Sequence, residues 1–205
     1  MIVIVDYGMG NMGSIQNMLK KVGAESIVSS DHAAIRDADK LILPGVGAFD
    51  NGMKQIRERD LIPVLNEKVL VQKTPLLGIC LGMQLLTGRS EEGESQGLGW
   101  LDAKTLKFDF SDDRDKLRIP HMGWNTIVVK KESPLFRNLE HECRFYFVHS
   151  YYVRCTNKDI VVAEARYGVD IVASVQQENI FGTQFHPEKS HKFGMQILKN
   201  FVELC

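Results

Sequence analysis

The sequence shows no excess of charge of either sign. Its 205 residues include 25 basic and 26 acidic ones, which leaves a formal net charge of −1 at pH 7. Proteins that bind nucleic acid or an anionic membrane surface usually carry a basic surplus. The balance therefore predicts neither kind of partner.

Long hydrophobic runs are also missing. The first apolar stretch, residues 2–5, ends at Asp6, so the amino terminus lacks the basic start and longer apolar segment of a signal peptide. No segment approaches the roughly 20 apolar residues that span a bilayer. We expect a cytoplasmic protein that does not enter a membrane.

Cysteine is scarce, and its spacing excludes two kinds of site. The four cysteines are Cys80, Cys143, Cys155 and Cys205. None forms a C-x-x-C pair, so the sequence predicts neither a zinc knuckle nor a dithiol redox pair. This usage fits a reducing compartment, in which cysteines stay free.

The first ninety residues alternate short apolar strands with helical patterns. Periodicity predicts strands at 2–5, 25–29 and 40–43, helices near 15–22, 31–38, 49–57 and 63–71, and then a strand that ends at Cys80. Such alternation is typical of βαβ units in a parallel sheet covered on both faces.

The second half of the chain has a different pattern. Strand-like runs occur at 124–129, 144–148, 160–165, 171–176 and 180–185, a solvated loop is predicted at 111–116, and a last helix at 191–204. No repeat or linker is visible. The sequence therefore predicts one domain, residues 1–205: a three-layer α/β fold whose mostly parallel central sheet is flanked by helices, with an antiparallel-rich second half.

The segment 74–86 is the strongest candidate for chemistry. An apolar run stops at Cys80, between Gly78 and Gly82, and then resumes with helical spacing. This pattern predicts a sharp strand-to-helix turn with the side chain of Cys80 exposed at its apex. A helix that starts near Leu81 directs its free N–H groups at the sulfur and favours the thiolate. The alternative is a buried structural cysteine.

Two glycine-rich turns follow other predicted strands. The turn at 44–47 opens onto the same sheet edge as Cys80, so its backbone N–H groups could join that of Leu81 as donors to an oxyanion; the alternative is an ordinary turn. Residues 8–13 match G-x-G-x-x-G, but Asp6 and Tyr7 separate the strand from the first glycine and disfavour a dinucleotide site. A tight turn, or a glycine-lined surface that presents Asn11, are the other interpretations.

A base for the cysteine is expected among the histidines. His186 follows a core-like strand, and its imidazole could take and return a proton near neutral pH. Glu188, two residues further on, could orient the ring, because Pro187 makes the backbone between them stiff. His121 and His149 are rival candidates. The remaining three are expected at the surface: His32, His141 and His191.

The segments 78–84, 44–47 and 186–188 together resemble the motifs of the class I glutamine amidotransferases, which share a flavodoxin-like α/β fold. The segments 6–11, 44–49, 120–125, 145–151 and 186–190 narrow the resemblance to the glutaminase subunits of imidazole glycerol phosphate synthase. The resemblance implies Cys80 as nucleophile, His186 as acid and base, and Glu188 as the carboxylate that orients it. It implies an oxyanion hole from the backbone of Val46 and Leu81.

The same resemblance implies further residues and partners. The glutamine pocket would be lined by Gly47, Gln84, Tyr146, Ser150 and Tyr151. A (β/α)8 cyclase subunit would receive the ammonia in a heterodimer, through a surface that includes Asn11, Met122, Trp124 and Lys189. No metal and no cofactor are implied. Trp124, beside a glycine, is either an interface anchor or a core residue.

The sequence leaves three alternatives open. A related glutaminase could supply ammonia to a sugar-modifying synthetase in surface-polysaccharide assembly, and the triad does not separate these pathways. The chain could be a non-catalytic regulatory subunit, although its intact triad argues against that. It could also be a cysteine hydrolase that acts on another amide.

Overall fold

The computed structural model describes residues 1–110, 117–139 and 142–205. The loop predicted at 111–116 and the surface position predicted for His141 lie outside the described residues. In the first half the elements are β1 (Ile2–Val5), α1 (Met12–Lys21), β2 (Ser26–Ser29), α2 (His32–Arg36), β3 (Lys40–Leu43), α3 (Phe49–Glu58), α4 (Leu61–Asn66), β4 (Leu76–Ile79) and α5 (Leu81–Leu85).

The second half is rich in strands, as predicted. Its elements are β5 (Arg89–Ser90), β6 (Ala103–Lys107), β7 (His121–Val129), β8 (Arg144–His149), β9 (Tyr151–Cys155), β10 (Val161–Tyr167), β11 (Val169–Gln177), β12 (Ile180–Thr183) and α6 (His191–Leu204). A π-helical turn, Glu67–Val71, extends α4, and 3-10 turns lie at Pro134–Phe136, Lys158–Ile160 and Pro187–Lys189.

Nine strands form the central sheet, in the order β2-β1-β3-β4-β12-β11-β10-β7-β8. The pairs from β2 to β12 are parallel, and those from β12 to β8 are antiparallel. The sheet is therefore mixed, and the α/β class and the antiparallel second half are confirmed. A separate three-stranded sheet, β5-β6-β9, was not predicted.

Strand β1 shows how the sheet is covered on both faces. Val3 and Val5 pack into one apolar cluster, together with residues of α3, α4 and α5. Ile2 and Ile4 point the other way and pack with residues of α1 and α6. Successive side chains of a strand alternate between faces, so an unbroken apolar run is what a strand buried on both sides requires. These two clusters make the fold three-layered.

The site is positioned by the parallel part of the sheet. Strands β1, β3, β4 and β12 are neighbours and run in the same direction. Their carboxyl ends meet at one edge, where ligands of open α/β sheets bind. The residues that follow these four strands are therefore brought together there.

The predicted helices differ from the observed ones mainly at their ends. Asp31 caps α2 by accepting hydrogen bonds from the N–H groups of Ala33 and Ala34, as an aspartate at this position favours. The last helix has the predicted bounds, His191–Leu204. Within the described ranges, no helix is both long and apolar enough to cross a membrane.

Candidate active site

Cys80 occupies the apex of the turn between β4 and α5. Its backbone has φ 54° and ψ −109°, a conformation that is strained for any residue other than glycine. The Cys80 N–H donates to the carbonyl of Thr183 at 2.7 Å, which ties the apex to the end of the neighbouring β12. The residue is 5% exposed and therefore buried, not exposed as predicted, but it lines a cavity. This combination of strain, anchoring and access is typical of a nucleophile elbow.

Close backbone approaches explain two of the glycines around this turn. A Cβ on Gly82 would collide with the carbonyl group of Leu43, at the end of β3. A Cβ on Gly45 would lie 2.5 Å from the hydroxyl of Tyr7 and 2.7 Å from the Cβ of Leu81. The turn after β3 therefore packs directly on the turn that carries Cys80.

His186 and Glu188 form a buried pair in the turn after β12. The Nδ1 atom of His186 lies 2.7 Å from Oε1 of Glu188, and both side chains are 1% exposed. Ser190 holds this turn, because its hydroxyl donates to the carbonyl of His186 at 2.6 Å and accepts from the N–H of Tyr146. The ring orientation is thus fixed by a carboxylate and by the backbone, as a catalytic base requires.

The electrostatics of His186 depend on Cys80. Burial by itself lowers the pKa of His186, but the charge of the Cys80 thiolate, followed by Glu188, outweighs burial and raises this pKa to about 10. Nδ1 of His186 is engaged by Glu188, so Nε2 is the nitrogen available to Cys80, and a hydrogen bond with the Cys80 side chain also raises the pKa of His186. The raised pKa favours the imidazolium form of His186, with Nε2 on the side of the ring that is available to Cys80.

A cavity of about 690 Å³ connects these groups. Nine residues predicted from the sequence contribute to its wall: Val46, Gly47, Cys80, Leu81, Gln84, Ser150, Tyr151, His186 and Lys189. Five further residues line it: His149, which the sequence offered as a rival base, and four that were not assigned to the site, Ala48, Glu92, Pro120 and Val148.

Tyr146, predicted for the pocket, is not part of this wall in the described residues. Its carbonyl accepts a hydrogen bond from the N–H of His186 at 2.9 Å. Its ring lies between Lys189, whose Nζ is 5.7 Å from the ring centroid, and Trp124 at 6.3 Å. Its side chain belongs to the surface beside the cavity, and its backbone supports the His186 turn.

That surface is apolar and exposed. Trp124 is 45% exposed and stacks on His191, and Met122 is 61% exposed. Trp124 is therefore not a core residue. Asn11 and Lys189 are exposed as well.

The rival histidines form a pair of their own. Nδ1 of His149 lies 2.8 Å from the carbonyl of Tyr151, and its Nε2 lies 3.0 Å from Nδ1 of His121. Burial lowers the pKa of His149 to about 3 and that of His121 to about 4. Both nitrogens of His149 are engaged and the ring is neutral, so it is poorly suited to accept a proton from Cys80. His32 binds the carbonyl of Arg59, and His191 is exposed.

Two polar residues at the site were not identified from the sequence. Glu92 reaches the cavity from the segment after β5 and accepts a hydrogen bond from the N–H of Phe49 at 2.9 Å. Burial raises the pKa of Glu92. Gln184 lies directly after β12, with Nε2 at 3.7 Å from Sγ of Cys80. Nothing in the local sequence marks either residue, and the position of Gln184 follows only once the register of β12 and β4 is known.

The arrangement is suited to acyl transfer. Cys80, the oriented ring of His186 and the glycine-rich turn at 44–47 face one cavity, which supplies a nucleophile, a proton donor and backbone N–H groups. Among the described residues, no three His, Cys, Asp or Glu side chains lie together as metal ligands.

Comparison with known proteins agrees with this geometry. The family model for class I glutamine amidotransferases matches residues 3–205. The imidazole glycerol phosphate synthase subunit HisH 2 of Methanococcus maripaludis is 53% identical over 203 residues, which cover 99% of each chain. The HisH 2 subunit of Pseudomonas aeruginosa is 50% identical over 204 residues, which cover 100% of each chain.

Solved structures show the same fold at low sequence identity. A crystal structure of a glutamine amidotransferase aligns with a TM-score of 0.75 and 22% identity, covering 98% of this chain and 97% of that one. The structure of PurLQS from Thermotoga maritima aligns with a TM-score of 0.69 and 19% identity, covering 98% and 96%. With a family model that spans nearly its whole length and relatives that match it from end to end, this chain belongs to the class I glutamine amidotransferases.

Proposed function

We propose that the chain hydrolyses L-glutamine to glutamate and ammonia through a thioester on Cys80. One observation carries this proposal: the strained turn at Cys80 shares a cavity with His186, whose ring is held by the buried Glu188. Family membership supports the choice of glutamine as the amide.

The first half of the reaction forms the thioester. The Cys80 thiolate attacks the side-chain amide carbon of glutamine, and the backbone N–H groups of Val46 and Leu81 stabilise the oxyanion. The imidazolium of His186 gives its Nε2 proton to the amide nitrogen. The carbon–nitrogen bond then breaks, and ammonia leaves.

The second half releases glutamate. His186, now neutral, takes a proton from water as the water oxygen attacks the thioester carbon. The carbon–sulfur bond breaks, the Cys80 thiolate is restored, and the proton that His186 accepted restores the imidazolium. Glu188 holds the orientation of the ring throughout and stabilises its charged form.

The cavity wall supplies groups that match the ends of glutamine. Glu92 presents a carboxylate to the cavity and would pair with the α-ammonium group of the substrate. Gly47, Gln84, Ser150 and Tyr151 lie around the same space. We infer that these residues hold the substrate with its amide carbon at the sulfur.

The ammonia would pass to a (β/α)8 cyclase subunit for imidazole glycerol phosphate formation in histidine biosynthesis. The names of both relatives support this pathway. The exposed surface of Met122, Trp124 and Lys189 supports a docking partner here, since Lys189 belongs both to this surface and to the cavity wall. A partner seated there would cover the cavity, so ammonia could move without entering bulk water.

The Cys80→Ala variant tests the chemistry when it is assayed together with the cyclase subunit. We expect it to lose glutamine-dependent turnover and to retain synthesis from free ammonia, because only the nucleophile is removed. We expect weak glutaminase activity from the isolated wild-type chain, since hydrolysis without an acceptor wastes glutamine. Glutamate release at the normal rate by the variant would show that the nucleophile is wrong.

Trp124→Ala tests the docking surface. Truncation of a central interface tryptophan typically costs about 2 kcal/mol or more, so the dissociation constant for the cyclase should rise by about 30-fold or more. Val71→Ala is the matched control, because Val71 is 76% exposed and precedes β4 at the opposite edge of the sheet. Equal affinities of both variants, measured by titration calorimetry, would place the interface elsewhere.

A further inference from the structure

Gln184 is a buried polar residue that touches the sulfur of Cys80. Its side chain is fully buried, and its Nε2 lies 3.7 Å from Sγ. The parallel register pairs Thr183 with Ile79, so the next residues, Gln184 and Cys80, are adjacent at the ends of β12 and β4. The pairing of β12 with β4 therefore places Gln184 beside Cys80.

The orientation of the Gln184 amide follows from hydrogen-bond chemistry. The carbonyl oxygen of Tyr151 can only accept, and the side-chain amide of Gln84 lies 3.0 Å from it, so Gln84 must turn its NH2 group that way. The same NH2 group lies 3.1 Å from the side-chain oxygen of Gln184. The oxygen of Gln184 therefore faces Gln84, and its NH2 group faces the sulfur.

The two histidines beside this network reinforce its direction. The Tyr151 carbonyl also accepts a hydrogen bond from Nδ1 of His149, which leaves Nε2 of His149 as the acceptor for His121. Turning the Gln84 amide around would place its oxygen against the Tyr151 carbonyl, and a buried acceptor pair of this kind is costly. The carbonyl oxygen of Tyr151 thus fixes the orientation of the Gln84 amide, and Gln84 in turn fixes the Gln184 amide with its NH2 group toward Cys80.

We propose that Gln184 is a catalytic residue that stabilises the Cys80 thiolate by donating a side-chain N–H to it. This inference rests on the proposed function of Cys80 as the nucleophile. A hydrogen bond to an anion is stronger than one to its neutral form, so a fixed donor favours the thiolate. The carbonyl of Val148, at 4.0 Å from the sulfur, acts in the opposite sense because it can accept a bond only from the thiol.

Other charges also act on the sulfur, and they are unchanged by substitution of Gln184. In the described part of the chain, the titratable groups of the packed elements and the cavity wall around Cys80 are Tyr7, Glu92, His149, Tyr151, His186, Glu188 and Lys189. The imidazolium of His186 favours the thiolate as well. A test must therefore separate the contribution of Gln184 from that of His186.

The test measures alkylation of Cys80 by iodoacetamide as a function of pH, without glutamine or partner. The labelled Cys80 peptide is quantified by mass spectrometry, since Cys205 could also react. Gln184→Met removes the donor at similar volume. We expect the pH of half-maximal alkylation to rise by about one unit, which corresponds to about tenfold less thiolate below the midpoint.

Gln184→Glu gives a sharper comparison. The new carboxylate can still accept from Gln84, but it places an acceptor instead of a donor at the sulfur. We expect its alkylation midpoint to exceed that of Gln184→Met, an order that loss of packing alone does not produce. Gln177→Met is the control, because Gln177 donates its side-chain amide to the carbonyl of Trp100 and is not in the cavity wall.

Two outcomes would overturn the proposal. One is a wild-type midpoint for Gln184→Met in a variant whose thermal unfolding shows a folded chain. The other is an equal rise in Gln177→Met, which would indicate a general loss of stability. Absence of glutaminase activity in the wild type with its cyclase would instead refute the proposed function, while the alkylation shift would still report the contact.

Discussion

Replacement of Glu188 by Gln changes one atom of the His186–Glu188 pair and leaves its shape intact. In the wild type, Oε1 of Glu188 is 2.7 Å from Nδ1 of His186, and Oε2 is buried without a hydrogen-bond partner among the described residues. The amide of the variant has two orientations, and each carries a defect. If its oxygen faces Nδ1, its NH2 group is buried without an acceptor. If its NH2 group faces Nδ1, then Nδ1 must accept a hydrogen bond and the neutral ring carries its proton on Nε2. Nε2 then cannot accept a proton as the base.

The expected losses of folding free energy and of catalytic rate follow from these two orientations. A buried donor without a partner costs about 1–3 kcal/mol of folding free energy. Loss of an oriented acid and base typically slows a reaction by about 10²–10⁴-fold. We therefore expect kcat for glutamate release to fall by this factor in the complex with the cyclase. KM should change little, because Glu188 is not in the described cavity wall.

The assay is steady-state glutamate release, with ammonia-dependent synthesis by the cyclase as the control for an intact complex. A kcat close to that of the wild type, in a variant that binds the cyclase normally, would refute the role assigned to Glu188. Ammonia-dependent synthesis should be unaffected. If both activities fell together, assembly and not proton transfer would be the cause.

The same pair predicts how stability depends on pH. Folding raises the pKa of His186 from its ordinary 6.5 to about 10. The protonated ring therefore contributes stability that is complete below about pH 6.5 and is lost as the pH rises through about 10. Since Glu188 is one cause of this rise, the stability difference between wild type and Glu188→Gln should shrink over the same interval in urea titrations.

Further substitutions separate charge from shape at the turn. Cys80→Ser should lower the pKa of His186, because the Cys80 thiolate is the largest cause that raises it; an unchanged midpoint in an NMR titration would exclude the thiolate–imidazolium pair. Gly82→Ala should destabilise the fold by about 1–3 kcal/mol and reduce kcat, because its Cβ collides with the carbonyl group of Leu43 and displaces the glycine turn after β3. A melting temperature equal to that of the wild type would show that the turn accommodates the added Cβ without loss of stability.

The sequence was informative where local chemistry decides structure. Residues 2–5 are apolar without interruption, which predicted a strand covered on both faces, and β1 is buried in this way. Gly78 and Gly82 around Cys80 predicted a sharp turn, and Cys80 has the left-handed φ of such a turn. Trp124, which the sequence left as either an interface anchor or a core residue, is 45% exposed.

The remainder depends on contacts between distant segments. In the sheet of β5, β6 and β9, strands β6 and β9 pair residues about 50 positions apart, such as Ala103 with Cys155, and no local pattern marks that pairing. Gln184 meets Cys80 only through the register of two strands far apart in sequence. Tyr146 was assigned to the pocket, but the alternation of β8 directs its ring to the neighbouring surface.

The central claim is that Cys80 forms a covalent acyl intermediate with glutamine. Rapid mixing of the chain with glutamine in the presence of the cyclase, followed by acid quench and intact-mass analysis, tests it most directly. We predict a glutamyl adduct that maps to the Cys80 peptide and that is absent from Cys80→Ala. Turnover of glutamine with no adduct on this peptide, under conditions that preserve thioesters, would contradict the account.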